Sequence, residues 1–156
     1  MRLRCLREPS CYAFCEVPPD ESTAEMFFYD GHCGLCHGVV KFVLKRDRDG
    51  CLFRFAPLQG PTFEARVPAE RRADLPDSII VLTHEGALLT RSDAVVYILR
   101  RLGGGWSAVA GVLAAVPRVV RDGGYDFFAR VRYSIFGTRD DVCPIVPPDL
   151  RARFDP

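Results

Sequence analysis

The chain contains no long hydrophobic run. Its most apolar stretch, Trp106 to Val116, ends at Pro117 after eleven residues, whereas a bilayer-spanning helix needs about twenty. That stretch reads as a buried or half-buried helix. It has no Lys/Arg-rich polar face of its own, which disfavours a membrane-surface helix. A strong charge bias is also missing. The formal net charge is +1, so no strong overall electrostatic pull toward nucleic acid or a membrane surface follows, and neither a nucleic acid partner nor a transmembrane segment is expected. Met and His are scarce, with only Met1, Met26, His32, His37 and His84. The first fifteen residues, MRLRCLREPSCYAFC, hold no apolar segment of secretory length, so no signal peptide is read and the expected compartment is the cytoplasm. No internal repeat is present.

Cysteine, by contrast, is plentiful, with seven in 156 residues. The odd count argues against a closed disulfide framework. Cys5, Cys11 and Cys15 crowd the start, Cys33 and Cys36 stand three apart, and Cys51 and Cys143 stand alone. Where thiols are kept reduced, a paired C-x-x-C is catalytic or metal-binding rather than structural. The length suits one domain with a real core. Residues 1–24 show no periodicity and carry Pro18-Pro19, so a poorly ordered extension is expected there. A single domain is expected over 25–143, followed by a tail over 144–156. Met26, the only internal Met, is a candidate native start; an N-terminal peptide containing Cys5 or Cys11 would exclude that.

From Met26 the pattern is compact. Phe27 to Tyr29 predicts a short buried strand and Asp30-Gly31 a turn. Residues 34–48 predict a helix stopped by Gly50, with Leu35, Val39 and Phe42 on one apolar line and Cys36, Val40 and Val43 on the next. Cys51 to Phe55 predicts a second strand, with Cys51 in the core. A weak helical stretch runs to about residue 73. Ser78 to Thr83 predicts a third, central strand, paired as a hairpin with Ala87 to Thr90. Ser92 is placed to cap a helix from Asp93 to Leu102, which Gly103 to Gly105 break. The Trp106 helix, a Pro117 to Gly124 connection and a helix from Tyr125 to Phe136 complete the chain. The order β-α-β, then β-β-α, is that of an α/β thioredoxin-like core with a mixed four-stranded sheet, here with a helical C-terminal addition. Tyr97, Trp106, Phe127 and Phe128 read as packing residues.

The chemistry sits in Cys33-Gly34-Leu35-Cys36, behind the first strand and at the start of the first helix. Cysteines three apart share one helix face and are close enough to bridge. In this setting the pair reads as a thioredoxin-like redox motif. A thiol at a helix N-terminus meets unpaired N–H groups and the positive end of the dipole, both of which favour the thiolate that attacks disulfides. Cys33 is therefore the candidate nucleophile and Cys36 the thiol that resolves a mixed disulfide. His32, if protonated, would assist; a close Asp30 would oppose. Asp30 either tunes or relays protons for the thiols, or forms the Asp-Gly turn and satisfies backbone N–H groups. His32 reads as a solvated loop residue and His37 as a helix-surface residue. Pro76, ahead of the third strand, is a candidate cis-proline or an ordinary trans turn proline.

The strings YDGHCGLC, FAPLQ (Phe55 to Gln59), DSIIVL (Asp77 to Leu82), SDAVVYIL (Ser92 to Leu99) and YDFFARVRYSIFG, with the later Cys143, resemble in order the DCC family of thiol-disulfide oxidoreductases. The family's name refers to one Asp and two Cys, matched by Asp30, Cys33 and Cys36. The resemblance implies a thioredoxin-like fold and dithiol/disulfide chemistry but supplies no substrate; the expected function is thiol-disulfide exchange through Cys33 and Cys36 with a protein or small-molecule thiol, without a bound cofactor. Cys143 matches a family cysteine in the tail and reads either as a third thiol that exchanges with the pair or as a buried cysteine. Direction is left open, since potentials in this fold run from roughly −270 to −120 mV.

Three rival classes share parts of the pattern. Cys33 to His37 spells C-x-x-C-H, the c-type haem string, but axial ligands are scarce. A zinc module would need two further ligands, and there is no second C-x-x-C. A non-catalytic thioredoxin-like adaptor would form the bridge without turning over a disulfide.

Overall fold

A computed structural model describes residues 24–73, 75–76, 78–137 and 148–156. The expectations for the leader with Cys5, Cys11 and Cys15, and for Cys143, lie outside the described residues. Four strands, β1 (Glu25–Tyr29), β2 (Phe53–Pro57), β3 (Ile80–Leu82) and β4 (Leu88–Thr90), form one sheet in the order β2-β1-β3-β4. β1 runs parallel to β2 and antiparallel to β3, and β3 is antiparallel to β4. The helices are α1 (Gly34–Leu44), α2 (Pro61–Arg66), α3 (Ala69–Arg72), α4 (Arg91–Leu102), α5 (Gly104–Ala115) and α6 (Arg118–Phe136). This is the mixed α/β arrangement expected of a thioredoxin-like core with helical additions. β3 is an inner strand, as its β-branched sequence suggests.

β1 is buried along its whole length because both of its faces are covered. On one side Phe27, Tyr29, Phe53 and Phe55 pack against Val40 and Val43 of α1 and Ala94 and Ile98 of α4. On the other, Met26, Phe28, Ala56 and Ile80 pack against Phe63 and Val67. Each fully buried large apolar side chain contributes roughly 1.5–3 kcal/mol, so β1 is the natural centre of the fold. The last residues also belong to this core. A 3-10 turn over Pro148–Arg153 precedes Phe154, whose ring stacks on Phe55 at 5.2 Å, and the Asp155 N–H donates to the Phe55 carbonyl at 2.8 Å. Buried Arg153 pairs with Asp47 and donates to the Phe53 carbonyl at 3.0 Å. The otherwise open edge of β2 is thereby covered.

Several local expectations are corrected. α1 ends at Leu44, and Gly50 lies in the following loop with φ +71°. Cys51 precedes β2 and is half-buried rather than a core strand residue. Thr90, not Ser92, is the residue ahead of α4. The Ser92 hydroxyl instead bonds the Asp122 carboxylate on α6, a tertiary partner that wins over the local cap. Gly104 and Gly105 form the first turn of α5 instead of breaking the chain, and the presumed connection through Gly124 is the first half of α6. Phe127 and Phe128 are 62% and 57% exposed, so they do not pack the interior.

Candidate functional site

The site is assembled where β1 ends and α1 begins. The chain leaves Tyr29, turns at Asp30-Gly31 and enters α1 through Cys33, which is the N-cap residue with extended backbone (φ −94°, ψ 116°). Its sulfur accepts the Cys36 backbone N–H at 3.5 Å, so a thiol takes the place usually filled by a capping hydroxyl or carboxylate. Both cysteines are free and buried.

The two thiols are pushed apart in acidity. The hydrogen bond from the Cys36 thiol, helped by the Cys36 and Leu35 N–H groups and the Arg132 charge, outweighs burial and lowers Cys33 to about 6. Cys36 moves far upward, because it donates that bond, is more deeply desolvated and faces the Cys33 charge. Such divergence leaves one thiol ionised near neutral pH and holds the other in its protonated form.

Asp30 is 3% exposed. Its Oδ1 accepts from the His32 N–H at 2.9 Å and from Gln59 Nε2 at 3.1 Å, while Gln59 Oε1 accepts the Gly31 N–H at 3.2 Å. Asp30 thus satisfies a backbone N–H of the Asp-Gly turn, and Gln59, in the turn that follows β2, bonds both to it and to Gly31. Oδ2 faces Arg132 of α6 at 3.5 Å, and both side chains are almost fully buried. A buried ion pair of this kind is costly to break from either side.

α6 supplies more than Arg132. The Tyr125 hydroxyl accepts the Ile79 N–H at 3.0 Å, in the loop ahead of β3, and burial holds its phenol above the usual range, with the nearby Cys36 adding to the rise. At the far end of α6 the Gly137 carbonyl receives the Gly34 N–H at 3.4 Å, and Gly137 adopts φ +70°, a conformation glycine permits. Between α1, α4 and α6 lies an apolar groove of about 550 Å³, bordered by Cys36, Val39, Ile98, Tyr125, Phe128 and Arg132.

The structure brings Asp30, Cys33 and Cys36 together. His32 is exposed on the loop, as expected. His37 is not on the helix surface; it is 3% exposed and meets the Tyr29 ring edge-on at 5.9 Å. No cis peptide bond occurs among the described residues, so Pro76 is trans. It is Ile79, three residues on, that packs in the cluster with the two cysteines. Gln59, Tyr125 and Arg132 were not singled out from the sequence as site residues, although each falls within a string that carried the family resemblance.

The DCC1-like thiol-disulfide oxidoreductase family model matches residues 27–138. The chain is 36% identical to "Uncharacterized protein YuxK" of Bacillus subtilis (strain 168) over 84% of its own length and 93% of that protein. It is 32% identical to "DCC family protein At1g52590, chloroplastic" of Arabidopsis thaliana over 81% of its length and 72% of that protein. No solved structure matches it. With the family model running from β1 through the end of α6, this chain belongs to the DCC1-like thiol-disulfide oxidoreductase family.

Proposed function

We propose that the chain is a thiol-disulfide oxidoreductase that works through Cys33 and Cys36. The observation that carries this reading is the N-cap position of Cys33, with its thiol lowered to about 6 beside a Cys36 thiol driven the other way. In the reducing direction, the Cys33 thiolate attacks one sulfur of a substrate disulfide. A Cys33–substrate bond forms, the substrate S–S bond breaks and one substrate thiolate leaves. Cys36 then loses its proton and attacks the Cys33 sulfur, releasing the second substrate thiolate and leaving a Cys33–Cys36 disulfide. The two electrons gained by the substrate come from the two thiols. Run backward, the same steps oxidise a dithiol.

Arg132 favours the Cys33 thiolate by charge. Asp30 acts through Arg132 and through the loop it ties together, as a positioning residue. Cys33 has no exposed surface, so access requires local opening at the α1 N-terminus. The partner is a protein or small-molecule thiol, and a cytoplasmic setting, where dithiols are regenerated, suits the pair.

Equilibration of the full chain in glutathione buffers, read by mass spectrometry, tests the proposal. A reversible two-electron transition confined to Cys33 and Cys36 is expected, and its midpoint sets the direction. Thiols that stay protected across the range, with one equivalent of zinc in the intact mass, would overturn it.

A further inference from the structure

Helix α5 is unusual for an outer helix. Trp106, Ala110 and Leu113 form its inner stripe and pack with Phe42, Val96 and Leu99. The opposite stripe, Ala108, Val112 and Ala115, is exposed to solvent, with Val112 71% exposed. Outer stripes normally carry charged or polar residues, and helices that are apolar all round are normally buried. From Gly103 to Pro117 there is no ionisable side chain at all. Past the Pro117 corner, α6 also exposes apolar side chains, with Val119, Val120 and Phe127 84%, 63% and 62% exposed.

The charge distribution says what covers this surface. Residues 91–136 contain seven Arg, no Lys and three Asp, a net +4 that falls to +2 once Arg101 and Arg132 are paired with Glu25 and Asp30 from outside the segment. Arg100 and Arg130 are exposed, on α4 just before α5 and along α6, and Arg101 and Arg118 are exposed as well, although Arg101 also faces Glu25 at 3.4 Å and Arg118 faces Asp93 at 3.0 Å and Asp122 at 3.5 Å. Apolar side chains bordered by arginine match the two layers of an anionic lipid surface, acyl chains below and phosphate headgroups around. No helix among the described residues is long and apolar enough to cross a membrane, so the match is to a surface seat. We infer that α5 and the first half of α6 dock this protein on an anionic lipid bilayer, with Val112 and Val119 inserted. The polar border that α5 lacks in sequence is supplied by its neighbours in space.

Co-sedimentation of the full chain with vesicles tests this independently of the redox reading. One set is phosphatidylcholine alone; the other is phosphatidylcholine and phosphatidylglycerol in equal parts. Binding is expected only to the anionic set, and it should weaken as salt is raised. The double variant Val112→Asp, Val119→Asp should bind roughly tenfold more weakly or worse, with an unchanged circular dichroism spectrum and unchanged disulfide turnover. Phe127→Ser, at a separate exposed position, should weaken binding in the same direction if the double variant misfolds. Absence of binding to anionic vesicles by the folded wild-type chain would overturn the inference. Binding indifferent to these substitutions would also overturn it, as would a dimer that they dissociate in the absence of lipid.

Discussion

β1 carries a buried carboxylate at each end, and the two serve different purposes. Glu25, at its start, is fully buried. Its oxygens accept from the Tyr97 hydroxyl at 2.7 Å and the His84 N–H at 2.8 Å, and they face the His84 ring at 3.2 Å and Arg101 at 3.4 Å. The His84 and Arg101 side chains are 47% and 36% exposed, so this network opens to solvent at its rim. Asp30, just past the strand's other end, faces an arginine only 4% exposed and sits beside two thiols. A buried acid is therefore not in itself a sign of chemistry. At Glu25 the partners are the His84 N–H and ring, the Tyr97 hydroxyl and Arg101, and the network ties β1 to α4 and to the turn between β3 and β4. At Asp30 the carboxylate faces Arg132, whose charge favours the thiolate of Cys33, the nucleophile of the proposed reaction.

The sharpest test of this contrast is Cys33→Ser, which should abolish exchange, while Cys36→Ser should accumulate mixed disulfides detectable by intact mass. Full activity in the Cys33 variant would remove the reason for calling this end of the strand the reactive one. Next in size is Arg132→Met. Leaving Asp30 buried without its cation should cost about 3–5 kcal/mol by urea unfolding. It should also move the Cys33 alkylation midpoint above about 6, and Arg132→Lys should recover part of both. A midpoint that stays in place would mean that the arginine is structural only.

In the wild-type protein, alkylation by iodoacetamide should be slow below about pH 6 and reach a plateau above it. The depressed thiol also gives the reduced protein stability that is present above its unfolded value of 9.0 and is lost as the pH falls through about 6. Smaller still is Glu25→Gln, expected to cost about 1–3 kcal/mol from imperfectly matched buried donors. It should also let Tyr97, now pushed up to about 12 by burial and by Glu25, ionise at lower pH. The Cys33 midpoint should not move in this variant; a shift there would show that the two ends are coupled. The mildest change, Tyr125→Phe, removes one acceptor from the Ile79 N–H and should cost about 1 kcal/mol.

What could be read in advance follows a physical pattern. β1, the hairpin of β3 and β4, and the Cys33 start of α1 are specified by short-range features: an apolar run, a turn at His84-Glu85-Gly86 and a thiol at a capping position. Errors arose where distant residues compete with local rules. Ser92 is drawn from its capping role by Asp122, thirty residues away. His37 looks like a surface residue on a helix wheel, but Tyr29 lies across from it. Gly103 to Gly105 are poor helix formers, yet the Trp106 stripe behind them is anchored on Phe42 and holds the first turn of α5 in place.

By itself, then, the sequence determined the order of strands and helices, the Cys33–Cys36 pair and its place at a helix start, because periodicity, turns and caps act over a few residues. Only the tertiary structure decided that Gln59 of the β2 loop and Arg132 and Tyr125 of α6 converge on Asp30, Cys36 and Ile79. It also decided that the charge-free face of α5 stays uncovered. Burial and electrostatic fields depend on distances through space, and spacing along the chain does not encode those distances.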